Sequence, residues 1–276
     1  MNSRPWFSIE GVSLAFGGLQ VLDHVDLHVD QGEIVGLIGP NGAGKTTLFD
    51  VIAGVHSVAR GHVWFKGTDL LTRTAHERAW LGIGRTFQQT TLFPNMSVLD
   101  CVRTAAHRRL RRGLLGALLR SAVRTPLSRA EEREADRLAW AAIERLSLGD
   151  YAKKNASELS YGTLRLTELA TVLVVQPELV ILDEPSSGIA QRETEALGPL
   201  LLELRAELGA TFLLIEHDMP LIMGISDRIY ALAAGSVLAE GSPAQVQANA
   251  GVIESYLGGS VDLGQMVAEH ERVEVG

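Results

Sequence analysis

A chain of 276 residues that is 46% hydrophobic can build one large α/β domain or two small ones, and wholesale disorder is excluded. Its formal net charge of −8 argues against a general nucleic-acid binder. The single cysteine, Cys101, excludes an internal disulfide and a cysteine zinc site.

No stretch reaches the roughly 18 uncharged apolar residues of a membrane-crossing helix. Residues 1–10 carry no apolar run of signal-peptide length. Any membrane role is therefore expected from the cytoplasmic side, through partners. Val25, Leu27 and Val29 alternate with Asp26 and His28, which predicts a half-buried strand. The apolar run at 33–38 reads as a buried strand feeding a helix over 46–55. His62 to Lys66, followed by Gly67, reads as part of a hairpin.

Residues 101–130 contain eight arginines and no acidic residue, and the sign flips at Glu131, Glu132 and Glu134. Ser128 and Glu131 form a capping-box pattern. Ala135, Leu138, Ala142, Ile143 and Leu146 follow at helical spacing. We read 97–175 as a mainly helical insert in an α/β domain. Arg108, Arg109, Arg111 and Arg112 leave two readings open: a cationic surface facing anionic lipid, or a solvated helical face pairing with Glu131 to Glu134. Nucleic-acid contact lacks interleaved aromatics there.

A second buried strand covers 179–182 and ends at Asp183 and Glu184. A helix is predicted over 194–208, and a third buried strand over 211–215 ends at Glu216 and His217. Residues 227–240 read as a hairpin turning near Gly235. Ser242 and Pro243 have the cap-and-first-turn pattern of a last helix that stops near Gly258. Residues 261–276 are expected to be a loose tail.

Gly39-Pro-Asn-Gly-Ala-Gly44-Lys45-Thr46 fits the Gly-x4-Gly-Lys-Ser/Thr pattern. Glycines let backbone N–H groups converge on phosphate oxygens, and the helix that follows presents its positive end to the same anion. The loop runs from Gly39 through Asn41, Gly42, Ala43, Gly44, Lys45 and Thr46 to Thr47. Lys45 is assigned to the β- and γ-phosphates of ATP and the Thr46 hydroxyl to Mg²⁺. Asp183 is the second Mg²⁺ ligand, and Glu184 is free to act as general base on the attacking water. His217, at the end of the third strand, is placed to contact the γ-phosphate or to position Glu184.

Together with Thr86-Phe-Gln88, Leu159-Ser-Tyr-Gly162, Leu182-Asp-Glu-Pro185 and Ile215-Glu-His-Asp218, this set resembles the ATP-binding subunits of ABC transporters. The resemblance spans about 6–258. It implies a P-loop NTPase with the RecA-like core of ABC ATPases, an antiparallel β subdomain and an inserted α-helical subdomain. The core would take about 1–96 and 176–258. Ser160 and Gly162 are similar to the signature motif, which touches the γ-phosphate of ATP held by the opposite subunit. Gln88 is similar to the loop glutamine that senses Mg²⁺ and contacts the membrane partner. Phe16 sits where the family places an aromatic on adenine.

A closer resemblance is to the branched-chain amino acid uptake branch. It is carried by Leu92-Phe-Pro-Asn-Met-Ser-Val, Met223-Gly-Ile-Ser-Asp-Arg-Ile-Tyr230 and Val252-Ile-Glu-Ser-Tyr-Leu-Gly258. It implies a second ABC ATPase subunit, transmembrane permeases, an external substrate-binding protein and a peripheral place on the cytoplasmic face of the plasma membrane. Urea, short amides or lipid are the alternative cargoes, and a weakly hydrolysing regulator is the alternative role. The sequence departs from the family at Thr163, where Gln is usual, at Thr171-Val172, where Arg-Ala is common, and at Ala190, where Asn or Asp is usual.

Overall fold

A computed structural model of the chain describes residues 5–86, 92–110 and 126–257, with backbone alone at 109–110, 126–129 and 257. The described residues fall into two compact units. One is drawn from 1–85, 178–187 and 191–276, the other from 86–177 and 188–190.

The first unit holds two sheets. The smaller is antiparallel and contains β1 (Phe7–Phe16), β2 (Leu19–Val29), β4 (Arg60–Phe65) and β5 (Thr68–Asp69), in the order β2-β1-β4-β5. β2 starts well before the alternation at 25–29, because Gly17 and Gly18 close a two-residue turn that pairs Phe16 with Leu19. β1 carries no clean period in the sequence. A register irregularity between Ile9 and Val12 shifts its inward positions half-way along.

The larger sheet adds β3 (Ile34–Ile38), β6 (Ile83–Arg85), β7 (Leu179–Asp183), β8 (Thr211–Ile215), β9 (Arg228–Ala233) and β10 (Ser236–Gly241). Its order is β10-β9-β3-β8-β7-β6. All neighbours run parallel except β10, which is antiparallel to β9. Every residue of β3, β7 and β8 is buried, as expected of parallel strands covered on both faces. On one face Val35, Leu37, Ile181, Leu213 and Ile215 join α1 (Lys45–Ala53) and the antiparallel sheet in a single core. On the other face, Gly36 makes room for α7 (Met219–Ile225). A Cβ there would lie 2.8 Å from Ile222 Cγ1. α6 (Gln191–Leu208) packs beside α7. The short α2 (Ala75–Trp80) precedes β6 and opens with a complete capping box from Thr74 and Glu77.

The last helix is two helices, α8 (Pro243–Gln247) and α9 (Ala250–Leu257), rather than one. Asn249 interrupts it: its Oδ1 accepts from the Val252 N–H and starts a second helix. The tail at 261–276 lies outside the described residues.

The second unit packs α3 (Val98–Leu110), α4 (Pro126–Arg145) and α5 (Tyr161–Leu173) together. Ala135, Ala139, Ala142 and Ile143 form the buried stripe of α4, and Leu146 just past its end is buried with them. Its described part runs from Pro126, so Ser128 of the capping pattern lies within the helical backbone. Glu134 pairs with Arg137 of its own helix. Arg108 is exposed on α3. The Arg111 and Arg112 readings, and the Arg109 side chain, lie outside the described residues. Among the described residues, no helix is long and apolar enough to cross a membrane.

Candidate functional site

Strand order builds the site. β8 lies between β3 and β7, and all three are parallel, so their carboxyl ends share one edge. The register sets Leu37 of β3 and Asp183 of β7 on either side of Ile215. The residues that leave these strands are the start of the phosphate loop, Glu184, and Glu216 with His217. Ligands in open parallel sheets bind at this kind of edge.

The loop from Gly39 to Thr47 is fixed from behind by backbone. Gly39 has φ 150°, and a Cβ there would lie 2.2 Å from the Leu232 carbonyl oxygen. At Gly44, with φ 100°, a Cβ would meet Leu22 and the Val21 carbonyl oxygen, each at 2.8 Å. No larger residue fits either place. Asn41, Gly42 and Thr46 are exposed, Thr47 is half-buried and Ala43 is buried. α1 starts without a side-chain cap and with no acidic residue in its first turn. The N–H groups there lack a helical partner, which suits an anion. The buried Lys45 donates from Nζ to the carbonyls of Gly39 at 2.6 Å and Pro40 at 3.0 Å. Burial lowers its pKa, and the charges of Glu184 and Asp183 pull it back up.

Asp183 is fully buried at the end of β7. Arg85 holds it: one guanidinium nitrogen donates to Asp183 Oδ2 at 3.2 Å and the other to Asp50 Oδ1 of α1 at 2.6 Å. Burial raises the Asp183 pKa, Arg85 opposes that, and Glu184 and Asp50 add to it. Glu184 adopts φ 50°, a left-handed conformation uncommon outside glycine and found where a site stores strain. Its Oε1 lies 2.9 Å from His217 Nε2. An ionised carboxylate only accepts, so His217 carries its proton on Nε2 in this pair.

Glu216 is 1% exposed. Its carboxylate accepts from the Ser186 N–H and hydroxyl, each at 2.7 Å, and from the His217 N–H at 3.0 Å. Burial raises its pKa against these hydrogen bonds. Glu216 therefore ties the turn after Glu184 to the backbone of His217. Sequence reading missed Arg85 and Glu216 as parts of the site. The one available signal was a charged residue at the carboxyl end of each of two strands, Arg85 closing β6 and Glu216 following β8.

Phe16 is 44% exposed and meets the His56 ring edge-on, with centroids 5.1 Å apart, so it is not a core residue. Gln88 lies outside the described residues. Ser160 and Gly162 belong to the second unit, where Ser160 caps α5 and Gly162 is buried in its first turn. Thr163 is 8% exposed, and its Oγ1 lies 2.8 Å from Ser160 Oγ. Gly188, with φ 76°, packs against the Tyr161 ring, and Ala190 is exposed.

A match to the family described as ABC transporter spans residues 22–187. The chain belongs to the ABC transporter family. It is an ATP-binding subunit and an ATPase of that family. A second match, described as branched-chain amino acid ATP-binding cassette transporter, spans residues 236–262. This ABC ATPase is 43% identical over 258 residues to the high-affinity branched-chain amino acid transport ATP-binding protein LivG of Escherichia coli, covering 93% of this chain and 99% of that protein. It is 39% identical over 256 residues to BraF of Pseudomonas aeruginosa, which bears the same description, covering 93% and 99%. A crystal structure of the ADP conformation of an ATP-binding cassette of an ABC transporter superposes with a TM-score of 0.78 at 30% identity, covering 93% of this chain and all of that one.

Proposed function

We propose that this ABC ATPase powers the import of branched-chain or other hydrophobic amino acids, peripherally on the cytoplasmic face of the membrane. It would work with a second ABC ATPase subunit, transmembrane permeases and an external substrate-binding protein. The cargo rests on the likeness to LivG and BraF along nearly the whole chain. The hydrolytic role rests on one observation: the Glu184–His217 pair at 2.9 Å, at the strand edge from which the phosphate loop leads to Lys45.

In this reading Lys45 exchanges the carbonyls of Gly39 and Pro40 for the β- and γ-phosphates of ATP, and the loop N–H groups cradle the same oxygens. Asn41, Gly42, Ala43, Gly44 and Thr47 supply that cradle, and Phe16 supplies a face for adenine. Glu184 takes a proton from the attacking water, and His217 Nε2–H fixes the carboxylate in line with the γ-phosphate. Ser160 and Gly162 act on ATP held by the opposite subunit. Among the described residues, no group of three or more His, Cys, Asp or Glu could hold a resident metal. The Thr46 hydroxyl and the Asp183 carboxylate are hard oxygen donors, a set that fits Mg²⁺ brought in with ATP, which needs only one or two protein oxygens beside phosphates and water. Thr46, Asp183 and Gln88 would hold it, and it supplies charge neutralisation at the transferring phosphoryl group.

The test is ATPase activity of this chain co-purified with its permeases in liposomes. Stimulation by binding protein loaded with leucine, isoleucine or valine is expected. Stimulation by urea or short amides alone would overturn the cargo assignment.

A further inference from the structure

The Ser160 hydroxyl has two acceptor lone pairs and one proton. The Thr163 N–H donates to Ser160 Oγ at 3.3 Å, and the Thr163 hydroxyl oxygen lies 2.8 Å away. Thr163 is buried while Ser160 is exposed, so Ser160 stands between the interior and any arriving anion. The Thr163 backbone is fixed in turn: its carbonyl accepts from the Thr167 hydroxyl at 2.8 Å. When an anion accepts the Ser160 proton, the proton between the two hydroxyls must come from Thr163. Both lone pairs of Ser160 are then filled by Thr163, and its own O–H has one direction left, outward. A chain of this kind polarises each bond along it.

We propose that Thr163 is a positioning residue that orients and polarises the Ser160 hydroxyl as a donor to the γ-phosphate of ATP. This rests on the reading that Ser160 touches nucleotide bound by the opposite subunit. Thr163 is buried and acts through Ser160. It occupies a position where a long amide side chain is usual in the family, and a hydroxyl at this spacing makes an inward-to-outward relay inside the first turn of α5.

The test compares Thr163→Val, Thr163→Ser, Ser160→Ala and the Val/Ala double variant, each in the full chain assembled with its permeases. Both kcat and KM for ATP are read, together with ATP-driven dimerisation of the isolated chains by sedimentation. Thr163→Val keeps the shape and the backbone N–H but removes the hydroxyl. A rise in KM of about 5-fold is expected, the scale of one neutral hydrogen bond, with kcat little changed because the contact forms before the chemical step. Thr163→Ser restores KM, and Thr163→Val adds nothing in the Ser160→Ala background. A merely structural role would lower kcat and the active fraction and leave KM alone. If Ser160→Ala raises KM and weakens dimerisation but Thr163→Val does neither, the proposal is overturned while the Ser160 reading stands. If Ser160→Ala changes neither quantity, that reading fails and takes the proposal with it.

Discussion

Replacing Glu216 by Gln is nearly isosteric, and its cost can be worked from the hydrogen bonds. Oε1 accepts from the Ser186 N–H, and Oε2 from the Ser186 hydroxyl and the His217 N–H. A glutamine keeps one oxygen. Whichever way it turns, its NH₂ faces a backbone N–H that it cannot satisfy. A bond to a charged acceptor contributes about 1.5–3 kcal/mol, and relief of the buried charge offsets part of that loss. A net loss of about 2 kcal/mol lowers Tm by roughly 4–8 °C for a domain of this size. The freed Ser186 and His217 backbones shift the Glu184–His217 pair, and turnover falls by about 10-fold or more.

The pH dependence has a definite sign. Burial lifts the folded Glu216 carboxyl above its ordinary value of 4.5. Its contribution is fully present below that value and is lost as pH rises through the raised folded pKa. The Glu216→Gln variant lacks this proton, so its urea midpoint falls less than that of the parent chain over the same window. Differential scanning fluorimetry, phosphate release and a pH series of urea melts check these expectations. A variant with an unchanged Tm and turnover within twofold would show that Glu216 does not hold the Glu184–His217 pair in place.

Two further substitutions test the frame of the site. Arg85→Ala leaves the fully buried Asp183 without its guanidinium, a loss of about 3–5 kcal/mol that should appear as a Tm drop of at least roughly 6 °C. Gly39→Ala places a Cβ 2.2 Å from the Leu232 carbonyl, so nucleotide binding followed by a fluorescent ATP analogue should be lost, whereas Gly42→Ala meets nothing within 4 Å and should retain more of it.

The sequence discloses this fold where interactions are local and periodic. β3, β7 and β8 are short apolar runs; the phosphate loop follows β3, and carboxylates stand at the ends of β7 and β8. The Ala234-Gly235 turn sits where the hairpin at 227–240 required it. What stays hidden depends on distant partners or on an interrupted period. Arg85 acts through Asp50 and Asp183, which are 35 and 98 residues away in sequence. Glu216 acts on Ser186, 30 residues away. β1 loses its alternation at an irregular register. Asn249 stops one helix and starts another within a stretch that reads as continuous.

Hydrolysis in this reading turns on Glu184 removing a proton from the attacking water while the phosphate loop holds ATP. Single-turnover hydrolysis by Glu184→Gln, with nucleotide binding measured on the same sample, tests it most directly. ATP binding close to that of the parent chain is expected, with hydrolysis reduced by about 10²–10⁴-fold, the range for removal of a positioned general base. Hydrolysis at the parent rate in a variant that binds ATP normally would contradict it.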